Sequence, residues 1–107
     1  MFDELAIDLH KIAVEKGFWP EPDAVDDIFI AKQCMMIVSE VTEVMEAVRK
    51  NKGEEEITKE FADILIRTLD LYTGMVEAGY TRLSLDAMLA EKVDFNKTRP
   101  EKHGVRF

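Results

Sequence analysis

Residues 39–63 read SEVTEVMEAVRKNKGEEEITKEFAD, and this stretch decides the fold. It carries two carboxylate pairs, Glu40/Glu43 and Glu60/Asp63, on either side of the polar turn Asn51-Lys52-Gly53. Residues three apart on a helix share a face. If the chain reverses at the turn, the two helices run antiparallel and their carboxylate faces can meet. Converging carboxylates repel one another in a partly dry cleft. A hard divalent cation that prefers oxygen ligands, such as Mg²⁺, relieves that repulsion. The spacing alone is weakly informative in so acidic a chain, because Asp23/Asp26, Glu43/Glu46 and Glu91/Asp94 share it. Position sharpens the reading. Glu40 and Glu43 interrupt the apolar run from Met35 to Val48, and Glu60 and Asp63 open a second run from Phe61 to Val76.

Working outward, the hydrophobic pattern predicts an all-α chain of four helices in one domain, 1–107. The first spans 2–16, with Phe2, Leu5, Leu9, Ile12 and Ala13 on its apolar stripe and Gly17 as its stop. The second spans 27–50, with Asp26 or Asp27 at its N-cap. The third spans 54–78, with a start at Thr58 as the alternative. The fourth covers about 84–96, capped by Thr81 or Ser84. Two prolines make 17–26 a loop. In it, Phe18 and Trp19 either pack on the core or stack on a planar ligand such as a nucleobase. His10, Cys34 and the methionines at 35, 36 and 45 are expected to be core or rim residues. The apolar residues of the third helix cover more than half its circumference, which predicts burial against further copies of the chain.

A net charge of −8 and a pI near 4.7 argue against a non-specific nucleic-acid binder. One cysteine and two histidines exclude a disulfide framework or a zinc cluster within the chain. No apolar run reaches a membrane-spanning length, and the N-terminus lacks a basic leader, so the chain is expected to be cytoplasmic and unanchored. From Asn96 the composition turns basic, with Lys97, Arg99, Lys102 and Arg106. Such an arm is either a frayed terminus or a phosphate-neutralising segment beside the metal site.

Together these motifs resemble the MazG-like all-α nucleoside triphosphate pyrophosphohydrolases. That superfamily carries E-x-x-E, a variable spacer and E-x-x-D, matched here by Glu40-Val41-Thr42-Glu43 and Glu60-Phe61-Ala62-Asp63. It also carries a later K-x-x-x-N and R-P-x-x-H-G, matched by Lys92…Asn96 and Arg99-Pro100…His103-Gly104. The resemblance implies a four-helix bundle completed by oligomerisation, with a tetramer favoured over a dimer. It implies that Glu40, Glu43, Glu60 and Asp63 hold Mg²⁺, with Mn²⁺ as a substitute. The substrate would be a nucleoside triphosphate, cleaved between its α and β phosphates to monophosphate and pyrophosphate. By position, Lys92, Asn96 and Arg99 would contact phosphates, and Glu40 would act as general base. Trp19 enters the candidate site on chemistry alone, as a base-stacking residue. Two other readings stay open: a helical oligomerisation module without chemistry, and a nucleotide-binding regulator.

Overall fold

The second and third apolar runs form a helical hairpin. In the computed structural model, which describes residues 1–100, the helices are α1 (Phe2–Glu15), α2 (Asp27–Arg49), α3 (Glu54–Glu77) and α4 (Leu85–Thr98). A single 3₁₀ turn, Pro22–Ala24, lies in the loop after α1. The described residues are all helix and connection, with no strand. None of their helices is long and apolar enough to cross a membrane.

The ends of the helices follow local chemistry. The Asp26 side chain accepts from Phe29 N–H and caps α2 at 2.8 Å, and Ser84 does the same for α4 through Ala87 N–H at 3.0 Å. The reversal between α2 and α3 uses two left-handed residues, Asn51 at φ 54° and Gly53 at φ 93°, a region that asparagine tolerates and glycine enters without strain. Three glutamates follow at once, where the helix dipole favours negative charge. The alternative start at Thr58 does not occur. Thr58 Oγ1 donates to the Glu54 carbonyl, inside a helix that has already begun.

Packing is centred on α3, which takes α2 against one side and α1 against another, while α4 packs on α1. The α1–α4 contact is fixed at the helix N-termini by reciprocal capping. Asp3 accepts from Leu85 N–H, Asp86 N–H and Ser84 Oγ, and Asp86 accepts from the backbone N–H groups of Phe2 and Asp3. Two carboxylates thereby satisfy unpaired donors at both helix starts.

The core of a single chain is thin. Among the described residues, Ala6, Ala47, Leu69 and Leu71 are the buried apolar ones, and no large side chain is fully buried. Much of the apolar surface of α2 and α3 is exposed: Met35, Val38, Val41, Met45 and Val48 on α2 and Phe61, Leu65 and Ile66 on α3 are all solvent-facing. Cys34, Met35 and Met45, expected in the core, are exposed instead, and Met36, also exposed, lines the cavity described below. Helical periodicity marks a residue as apolar-facing, but it does not say whether the facing partner is in the same chain.

Candidate functional site

The α2–α3 hairpin brings its acidic faces together. Glu40, Glu60 and Asp63 each offer a carboxylate oxygen, and these oxygens lie within 4.8 Å of one another. Glu43 stands one turn along α2 from Glu40, exposed and outside this tight group, yet near enough to act on Glu60. The Glu60 carboxyl is held above its ordinary pKa, first by desolvation and then by the charges of Asp63, Glu43, Glu56 and Glu40. The cluster is therefore electrostatically frustrated without a cation.

Part of that frustration is relieved from within. Arg67 lies one helical turn after Asp63, and its Nε donates to Glu40 Oε1 at 2.9 Å. Arg67 shares the polar side of α3 with Asp63 and Asp70 by helical spacing, and its pairing across to α2 is set by the tertiary structure.

From this cluster a cavity of about 640 Å³ runs between α1 and α2, with α3 as its floor. The volume suits a nucleotide-sized ligand. Leu9, Ile12, Ala13 and Lys16 line it from α1, and Lys32, Gln33, Met36 and Glu40 from α2. Asp63, Ile66, Arg67 and Asp70 line it from α3, and Phe18 and Trp19 from the loop. Asp63 and Asp70 are seven residues apart, which places the acidic end and the aromatic end about 10 Å apart along α3.

The aromatic end is built around Asp70. The Trp19 indole N–H donates to it, at 3.0 and 3.2 Å to its two oxygens, and His10 Nδ1 hydrogen-bonds it at 2.8 Å. His10, only 4% exposed, is also bonded through Nε2 to Glu77, which bears out a core or rim histidine. Trp19 stands edge-on to His10 and Phe29, at ring-centroid distances of 4.6 and 5.1 Å. The loop pair thus divides: Trp19 packs down while still lining the cavity, and Phe18 is 72% exposed at its edge. Asp70 as the hub of this end was missed from sequence. Its i+4, i+7 spacing from Asp63, with Arg67 at the intermediate position, is the signal that marks the shared face.

The basic residues of α4 are not brought to this cavity within one chain. Lys92, Asn96 and Arg99 are exposed and do not line it. Lys92 and Arg99 instead stand over the Phe95 ring, each 5.6 Å from its centroid. The helix that carries them is tied to the N-terminus of α1, whereas the cavity is lined by the later turns of α1 from Leu9 onward. His103 and the rest of the basic tail lie outside the described residues.

The family model for the MazG nucleotide pyrophosphohydrolase domain matches residues 31–94. The chain belongs to the MazG family. The matched segment contains all four motif carboxylates and Lys92, and it stops short of Asn96 and Arg99. His10 and Trp19 precede it, so the aromatic end of the cavity comes partly from outside the MazG match. Neither the curated proteins nor the solved structures gave a match to the chain. Membership supports nucleotide pyrophosphohydrolase activity at the level of the family, with a nucleoside triphosphate as the class of substrate.

The residues present fit the divalent cation on which such enzymes depend. The donor set is all carboxylate, the choice of a hard cation. Glu40, Glu60 and Asp63, whose oxygens lie within 4.8 Å of one another, would hold it.

Proposed function

We propose that this chain is a Mg²⁺-dependent nucleoside triphosphate pyrophosphohydrolase that directs water to the α phosphorus and releases monophosphate and pyrophosphate. The observation that carries the reading is the convergence of Glu40, Glu60 and Asp63 at one end of a nucleotide-sized cavity whose other end is aromatic. A bound Mg²⁺ supplies charge neutralisation of the phosphates and activation of the attacking water. Glu40, Glu60 and Asp63 hold it directly, and Glu43 supports it from one turn away. Glu40 takes the proton of the attacking water as general base. Leu9, Ile12 and Met36 give the cavity an apolar wall, and Trp19 and Phe18 would border the base. Mn²⁺ is expected to substitute, since it accepts the same oxygen donors.

The working unit in this proposal is a homo-oligomer of one-domain chains, a tetramer in preference to a dimer. The exposed apolar faces of α2 and α3 are its contact surfaces, closing the bundle that one chain leaves open. Lys92, Asn96 and Arg99 then reach outer phosphates from the α4 of a neighbouring copy.

Turnover in ¹⁸O-labelled water with Mg²⁺ tests the reaction. Label in the nucleoside monophosphate supports attack at the α phosphorus. Label in pyrophosphate, or orthophosphate as the first product, overturns it. Absence of turnover across a broad nucleotide panel favours the binding module.

A further inference from the structure

We infer that Arg67 is a catalytic residue that binds the phosphate under attack and is held by Glu40 until a metal ion takes that carboxylate. This rests on the reading above and adds a residue that neither the E-x-x-E nor the E-x-x-D motif contains. Three observations carry it. Arg67 is in direct contact with the carboxylate cluster, through the 2.9 Å bond from Nε to Glu40 Oε1. Its two terminal nitrogens make no hydrogen bond to any described residue, which leaves the planar fork available to an oxyanion. It also lines the cavity, on the same face of α3 as Asp63 and Asp70.

The charge pattern points the same way. In a chain of net charge −8, Lys16, Lys32 and Arg67 are the cationic residues lining this cavity. The two lysines are exposed, whereas Arg67 is half-buried against the metal-ligand candidates. A phosphoryl oxygen reaching a cation between Glu40, Glu60 and Asp63 must come within a few ångströms of the guanidinium, because metal–oxygen bonds are about 2.0–2.6 Å long. Arg67 and a cation would compete for the Glu40 carboxylate, and a guanidinium released from it would meet charge that grows in the transition state. The ion pair of the metal-free protein is therefore a resting position.

The test compares the wild type with Arg67→Met and Arg67→Lys. Mn²⁺ alone is titrated calorimetrically, then a hydrolysis-resistant α,β-imido deoxynucleoside triphosphate is titrated with Mn²⁺ present, and kcat/KM is measured with Mg²⁺. Removing a competitor leaves Mn²⁺ affinity of Arg67→Met unchanged or tighter. Losing a phosphate contact weakens the analogue about tenfold and lowers kcat/KM by roughly 10²-fold or more. Arg67→Lys, which keeps the charge without the fork, falls between, and it carries the test if Arg67→Met does not fold. Mn²⁺ binding that weakens in step with the analogue makes Arg67 a residue that only positions Glu40, and overturns the inference. Unchanged analogue affinity and kcat/KM in a wild type that turns over also overturn it, leaving the pyrophosphohydrolase reading intact. A wild type that neither turns over nor binds the analogue overturns both.

Discussion

Replacing Gly74 with alanine puts the packing of the aromatic end to a quantitative test. Gly74 lies in the last turn of α3, and inside a helix this change ordinarily stabilises by up to about 0.5–1 kcal/mol, because glycine loses more backbone entropy on folding. Here a Cβ on Gly74 would stand 2.1, 2.5 and 2.6 Å from Cη2, Cζ3 and Cζ2 of Trp19. Carbon atoms prefer about 3.5–4.0 Å, so the indole must retreat by more than about 1 Å. The ring is rigid and must carry its N–H away from Asp70, straining bonds now at 3.0 and 3.2 Å. Overpacking costs about 1–3 kcal/mol, and a hydrogen bond to a charged acceptor is worth about 1.5–3 kcal/mol. Set against the propensity gain, Gly74→Ala should destabilise by about 2–4 kcal/mol. A domain of this size then melts at least about 8 °C lower. Fluorescence of Trp19, the only tryptophan, reports the transition directly, at fixed protein concentration so that assembly does not shift the midpoint. A double-mutant cycle supplies the control. In a Trp19→Ala background the same Gly74→Ala change should become stabilising by about 0.5–1 kcal/mol, since the obstacle is gone. A single variant as stable as the wild type, or the same sign of effect in both backgrounds, would refute the reasoning.

Three further outcomes are expected. Asp63→Asn should leave the metal-free protein as stable as the wild type or more so, because it removes like-charge repulsion, while metal binding weakens and kcat/KM falls by about 10²-fold; a large drop in the metal-free melting temperature would make Asp63 a structural residue. Glu60, with its pKa raised above 4.5, binds its proton more tightly folded than unfolded. Its ionised form therefore costs the metal-free fold stability above the raised pKa, and that cost disappears as pH falls through the raised value toward 4.5. With Mg²⁺ the sign reverses, since proton and metal compete; the Mg²⁺-induced rise in melting temperature should shrink over that window, and a rise independent of pH would count against Glu60 as a ligand. The exposed apolar faces of α2 and α3 predict an obligate assembly, and sedimentation of a stable, folded monomer at micromolar concentration would overturn it.

Much of this protein was legible without coordinates because its determinants are local. Helix ends followed from capping and breaking chemistry within a few residues: Asp26, Ser84, the turn at Asn51-Lys52-Gly53, and the stop at Gly17, one residue after the observed C-cap Lys16. The carboxylate pairs were visible because three-residue spacing puts side chains on one helical face, and a short turn forces the two faces to be neighbours. Convergence of Glu40, Glu60 and Asp63 needed nothing beyond a hairpin. What the sequence left open depended on distance across the fold. The bond from Arg67 to Glu40 spans α3 to α2, and the Asp70 hub gathers His10 from α1 and Trp19 from a loop; no local pattern specifies either. Lys92, Asn96 and Arg99 were expected from the family resemblance to contact phosphates, but reciprocal capping by Asp3 and Asp86 anchors α4 to the start of α1, away from the cavity. The apolar stripe holding Met35, Val41 and Met45 read as core because periodicity records only that a face avoids water, and tertiary structure decided that nothing among the described residues covers it.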